Sequence, residues 1–248
     1  MITAIANQKG GVAKTTSTLA LGGLLAEEGS CLVIDLDPQG NLTTGLGIEL
    51  AESQPTIYEV LTSETTAKEA IVPTPFDLSL LPATATLAQA ENKLLTQPDR
   101  CFILKEKLKP LRRTFDYILI DCPPSMGVLT ANALCAANAL LIPVQCQVFA
   151  LKGVEGLMKT VNQIKGELNP KLKVLGVLPT MAETNTLITQ EVLKTLKHQL
   201  EGVTVFEPVP KSVKFPESNL AGKPIHRYAN EWKLIQPYRQ VIWEMRAM

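Results

Sequence analysis

The chain has 248 residues, is 46% hydrophobic, and carries 24 Lys plus Arg against 24 Asp plus Glu. That is enough apolar material for one large α/β domain or two small ones, and the even charge balance excludes a globally basic nucleic-acid coat or an acidic tail, so any basic surface must be local. No run reaches the 18 to 20 apolar residues of a membrane span, and the start, MITAIANQKG, lacks the order of a signal peptide, so the sequence reads as cytoplasmic.

Five cysteines without a CxxC pair read as buried free thiols, and two histidines, His198 and His226, are too few and too far apart for a metal site. Aromatics at 5% do not supply stacking platforms for single-stranded nucleic acid.

In chain order, ITAIAN (2–7) predicts a strand, followed by the turn NQKGGVAKTT and a helix over 15–28. CLVIDLD (31–37) and LSLLPA (78–83) predict strands, then a helix over 86–108. YILIDCPP (117–124), ALLIPVQ (139–145), KVLGVLPTM (173–181) and VTVFEPVP (203–210) predict further strands, with helices over 128–137, 152–166, 185–199 and 231–246. Each apolar run is short and nearly continuous, the pattern of strands buried on both faces. The expectation is an α/β fold, a mostly parallel twisted sheet with helices on both faces, formed as a single domain over 1–248. Polar residues gather at strand ends, as in DPQGN, CPPS and LPTM. In open parallel sheets those carboxyl ends carry the ligand.

A strand, a Gly-rich turn and a helix starting near Thr15 direct backbone N–H groups and a positive helix end to one point, an arrangement that binds phosphate. The pattern G-x-x-x-x-G-K-[ST] fails at both glycines, because Gln8 and Ala13 stand there. Gly10, Gly11, Lys14 for the β and γ phosphates, and Thr15 for Mg²⁺ remain; an ordinary Gly turn with exposed lysines is the alternative. Asp35, Asp37 and Asp121 each close an apolar run, where a carboxylate can hold Mg²⁺ through water or merely form the turn before Pro38 or Pro123.

KGGVAKTT (9–16) resembles the deviant Walker A motif, KGGxxK[ST], of the ParA/MinD ATPases, a P-loop NTPase group. DLDPQGNLTTGLG (35–47), YILIDCPPSMGVLTANAL (117–134), PVQCQVFALKGVEGL (143–157) and AGKPIHRYA (221–229) extend the resemblance to the partition branch, ParA/Soj, over nearly the whole chain. The resemblance implies ATP and Mg²⁺ as cofactors and a homodimer with ATP sandwiched between the copies. Lys14 would serve its own chain's phosphates and Lys9 the partner's. It places nucleotide contacts at Lys9, Gly10, Gly11, Val12, Ala13, Lys14, Thr15, Thr16, Pro210, Lys211 and Ser212, and Mg²⁺ near Thr15, Asp37 and Asp121. Asp37 would orient the attacking water, with Lys9 and Lys14 as the other catalytic groups. DPQGNLT would be a switch reading the γ-phosphate, and the 122–128 loop its companion. Two positions depart from the family: Ala13, which costs about 1 kcal/mol if its backbone is left-handed, and Ser212, where Asn is usual.

The resemblance further implies nonspecific double-stranded DNA as a partner, nucleoid association, and a ParB-like or organelle-adaptor protein that stimulates hydrolysis. Candidate DNA contacts are Lys211, Lys214, Lys223, Arg227, Lys233 and Arg239, a small patch doubled in a dimer, with ordinary surface charge as the alternative. The cargo would be a plasmid, a chromosome or an organelle such as the carboxysome, as for the McdA proteins of this branch. A membrane-associated MinD-like ATPase is the second reading; the tail EWKLIQPYRQVIWEMRAM, with Pro237 and three basic residues, does not support a membrane helix. A small-substrate P-loop metabolic enzyme is the third.

Overall fold

The computed structural model describes residues 1–147, 150–183, 186–229 and 231–248. Its strands are β1 (Ile2–Ile5), β2 (Cys31–Asp35), β3 (Val72–Pro73), β4 (Leu78–Leu81), β5 (Tyr117–Asp121), β6 (Ala139–Gln145) and β7 (Lys173–Thr180). The helices are α1 (Lys14–Ala26), α2 (Asn41–Gly45), α3 (Ile57–Leu61), α4 (Ala67–Ala70), α5 (Leu87–Leu95), α6 (Ile103–Leu108), α7 (Val128–Ala136), α8 (Ala150–Glu167), α9 (Leu187–Gln199), α10 (Lys214–Leu220), α11 (Ile225–Tyr228) and α12 (Trp232–Ala247). Residues 148 and 149 of the 143–157 motif and residue 185 of the expected 185–199 helix lie outside the described residues.

The strands form one sheet in the order β3-β4-β2-β5-β1-β6-β7, parallel throughout except for the antiparallel β3–β4 pair at one edge. The continuous apolar runs are explained by burial on both faces. Along β2, Leu32 and Ile34 enter one core while Cys31 and Val33 enter the other; along β5, Ile118 and Ile120 oppose Leu119 in the same way. The first core is roofed by α3, α5, α6, α7 and α8, the second by α1 and α12. Among the cysteines, Cys31, Cys122, Cys135 and Cys146 are buried and Cys101 is half-buried, all free thiols as expected.

Two expected elements differ. The 86–108 helix is broken into α5 and α6 around Pro98, which lacks an N–H and disfavours helical geometry in the residue before it. The 203–210 run is not a strand of the sheet. It follows β7 through isolated bridges, Val177 with Val205 and Ala182 with Pro210, because Pro208 and Pro210 cannot donate to a continuous ladder. The unexpected helices α3 and α4 each begin with a capping box, Thr56 with Glu59 and Thr66 with Glu69, legible in the sequence as T-x-x-E.

Candidate functional site

The order β2-β5-β1 brings the carboxyl ends of three strands side by side, and the loop 7–13 leaves β1 at the middle of the sheet. Asn7 anchors its start, donating from Nδ2 to the Pro143 carbonyl at 2.7 Å while its Oδ1 accepts from the Lys9 N–H at 3.0 Å. Thr180, fully buried at the end of β7, donates from Oγ1 to the Val12 carbonyl at 3.1 Å and holds the loop from the other side.

Gly11 has φ 70° with nothing within 4 Å of where a Cβ would stand, so its backbone is open to a ligand. Ala13 also sits in the left-handed region, at φ 64° and ψ 34°. An L-residue in this region carries a conformational cost of about 1 kcal/mol. Ala13 is the N-cap of α1, no side chain caps this helix end, and its first turn holds no acidic residue. The free N–H groups and the helix dipole are thus presented to an anion.

Lys14 is 7% exposed, and its Nζ lies 3.3 Å from the Lys9 carbonyl. Burial lowers the pKa of this ammonium, partly offset by Asp121, Cys122 and Asp37. Lys9 behaves differently. It is exposed, and its Nζ donates to Gln147 Oε1 at 3.0 Å, at the mouth of the β6 end.

Asp121 accepts from Thr15 Oγ1 at 2.6 Å and lies 3.4 Å from Thr18 Oγ1. Burial and the neighbouring Asp35 push its pKa up to about 8, against the pull of Thr15 and Lys14. Asp35 is pushed up to about 6 by burial, although it accepts from the Thr43 N–H and Oγ1 at 2.9 and 2.8 Å. Its work is structural: it pins α2, whose Thr43 Oγ1 also accepts from the Ala83 N–H at 3.1 Å. Asp37, 8% exposed, accepts from the Gln39 N–H at 3.0 Å and faces the cavity.

That cavity, about 490 Å³, is lined by the loop from Gly10 to Thr16 together with Asp37, Gln39, Asn41, Thr44, Pro124, Met181 and Asn219. Both expected switch segments contribute to it. A second cavity of about 380 Å³ adjoins it, mostly apolar, lined by Ala13, Thr16, Val209, Pro210, Lys211, Ser212, Phe215 and Tyr238 among others. One cavity is bordered by the loop N–H groups and the other is mostly apolar, and the donor set of the first suits ATP with Mg²⁺. Among the described residues no group of three or more His, Cys, Asp or Glu is arranged to hold a metal by itself.

The structure thus gathers Gly10, Gly11, Val12, Ala13, Lys14, Thr15, Thr16 and Asp37 around one cavity and Pro210, Lys211 and Ser212 around the adjoining one. Sequence reasoning missed Met181, which follows β7 at φ 52°, and Asn219 on α10. The turn signal LPTM marked the first; nothing local marks the second. The basic candidates are more scattered. Lys211 pairs with Glu183 at 2.7 Å beside the apolar cavity, Lys214 with Glu217 at 3.0 Å, and Arg227 with Glu27 at 3.1 Å. Lys223 is exposed at the α10–α11 turn, and Lys233 and Arg239 are exposed on α12.

A family model described as an AAA domain matches residues 1–174. The chromosome partitioning protein ParA of Myxococcus xanthus is 41% identical over 96% of this chain and 84% of its own length. Two solved structures superpose closely. Cobyrinic acid a,c-diamide synthase from Mycobacterium smegmatis, with bound ATP analogue and magnesium, has a TM-score of 0.86 at 36% identity, covering 99% of this chain and 94% of that one. McdA from Cyanothece, in complex with ATP, has a TM-score of 0.91 at 26% identity, covering 99% and 96%. The loop with its two lysines, the strand-end carboxylates and the match across nearly the full chain place this protein in the ParA/Soj family of partition ATPases.

Proposed function

We propose that this chain is an ATP-driven positioning switch: a homodimer closed around ATP that binds DNA without sequence preference and is released when a cargo-bound activator stimulates hydrolysis. The observation that carries the reading is the divergence of the two loop lysines. Lys14 is buried over the loop, whereas Lys9 is exposed at the surface, its Nζ hydrogen-bonded to Gln147, and accessible to a second copy. Bound Mg²⁺ would neutralise charge on the transferred phosphoryl group. Thr15 and Asp121 would hold that ion, Lys14 and the loop N–H groups would cradle the phosphates, and Asp37 would orient the water. The M. xanthus relative is named for chromosome partitioning, which supports a DNA cargo, and the likeness to McdA keeps an organelle in view. The cell interior, on the nucleoid, is the matching location.

Retention on DNA of wild type and Arg227→Glu with ATP, ADP or no nucleotide, alongside light scattering, tests this. ATP-specific dimerisation with retention that Arg227→Glu removes is the expected result; an ATP dimer that ignores DNA overturns the DNA assignment, and binding to liposomes in its place would favour the membrane reading.

The M. smegmatis structure, named for synthesis of a diamide, favours one further reading, a small-substrate ligase. It predicts ATP turnover that depends on an added carboxylic substrate and is indifferent to DNA.

A further inference from the structure

We propose that Asn219 reads the ribose of the bound nucleotide and makes this chain select ribonucleotide over deoxyribonucleotide; the proposal rests on the ATP reading of the loop. The phosphate cavity and the apolar cavity share four residues, Ala13, Thr16, Met181 and Asn219. A nucleotide with its phosphates on the Gly10–Thr16 loop and its base against Pro210, Phe215 and Tyr238 must pass its sugar through that junction. Ala13 and Met181 offer it a methyl and a thioether. The polar side-chain groups there are the Thr16 hydroxyl and the Asn219 amide.

Of the other polar groups of the apolar cavity, Lys211 is engaged by Glu183 at 2.7 Å and Ser212 Oγ by the Lys214 N–H at 3.2 Å, while the Tyr238 hydroxyl, without a partner among the described residues, lines the apolar cavity and not the junction. Among the described residues the Asn219 side chain has no hydrogen bond to another protein group, and its backbone carbonyl accepts from the Gly222 N–H at 3.1 Å. An amide offers both donors and an acceptor, the complement of a vicinal diol.

The residue is also held in place. Phe215 of the same helix packs edge-on against Tyr238 at 6.4 Å between ring centroids, and Ser218 Oγ donates to the Phe215 carbonyl at 2.8 Å. An amide presented from a fixed helix loses little freedom on binding. A site built to pair a hydroxyl rejects the analogue lacking it, because its own polar group is left unpaired.

The test is equilibrium binding of ATP, 2′-deoxyATP and 3′-deoxyATP with Mg²⁺ to the full chain, as wild type, Asn219→Leu and Thr16→Val. Wild type is expected to bind at least one deoxy analogue about three- to tenfold more weakly than ATP, one neutral hydrogen bond. Asn219→Leu is expected to bind ATP and that analogue equally. A wild-type ratio of one, an unchanged ratio in Asn219→Leu, or a ratio lost only in Thr16→Val each overturns the proposal while leaving ATP binding intact. Wild type that binds none of the three overturns the ATP reading itself. A merely structural role for Asn219 would weaken all three nucleotides alike and would likewise overturn it.

Discussion

Asp35 and Asp121 stand opposite each other in register at the ends of β2 and β5, two buried carboxylates side by side. Burial, compounded by the opposing charge of Asp35, pushes Asp121 up to about 8. Asp121→Asn removes a carboxyl that must take up a proton to be buried at neutral pH and is expected to raise the melting temperature of the nucleotide-free protein, by about 2–4 °C for each kcal/mol recovered. The same change is expected to weaken Mg²⁺-dependent ATP hydrolysis by on the order of 10–100-fold, the usual loss for a carboxylate that supports a metal ligand, here Thr15. Thermal melts and a phosphate-release assay check both. A variant that is less stable and fully active would contradict the arrangement.

Ala13 gives a second test, because its φ of 64° is a conformation L-residues disfavour. Ala13→Gly relieves about 1 kcal/mol of backbone cost but gives back ~0.4–1 kcal/mol through a freer unfolded chain. Stability should therefore change little and ATP affinity should hold. Ala13→Val places a branched side chain at the same φ and is expected to cost roughly 1–3 kcal/mol and to weaken ATP binding at least about tenfold. Fluorescent-ATP titration of the three proteins decides it.

The lysines should separate cleanly. Lys14→Ala is expected to abolish ATP binding, since its buried ammonium has no substitute over the loop. Lys9→Ala should keep binding within about tenfold, one charge-assisted contact, and lose the ATP-dependent rise in mass by light scattering. Equal loss of binding in both would remove the argument for a partner-directed Lys9.

His226 supplies the pH dependence. Its side chain is 6% exposed, packs against Gly23 of α1 and has no hydrogen-bond partner among the described residues; Nε2 lies 3.4 Å from Glu27. Burial lowers its pKa, Glu27 opposes that, and Arg227 and Arg239 reinforce it. A depressed histidine contributes stability that is present above the unfolded value of about 6.5 and is lost as pH falls through the folded value. Wild type should melt at a lower temperature at pH 5 than at pH 7.5, and His226→Leu should narrow the gap by a few degrees. An unchanged gap would mean that other groups set the acid limit.

Much of this protein was legible in its sequence because the signals are local. Continuous apolar runs encode strands buried on two faces, so β1, β2, β4, β5, β6 and β7 and the residues Lys14, Thr15, Asp35, Asp37 and Asp121 could be named from spacing, while the separate roles of the three carboxylates came only from the family resemblance. Where local signals competed, the reading failed: 203–210 has strand composition, yet its prolines reduce it to bridges, and Pro98 splits a helix that its apolar periodicity runs straight through. Only the tertiary structure decided three things. It set the backbone sign at Ala13, which depends on how β1, Thr180 and α1 hold the loop. It made Asp35 a brace for α2 and Asp121 the partner of Thr15, a distinction set by which groups surround each carboxylate. And it brought Asn219, some two hundred residues from the loop, to the junction of the two cavities, because a contact between distant segments has no periodicity along the chain to announce it.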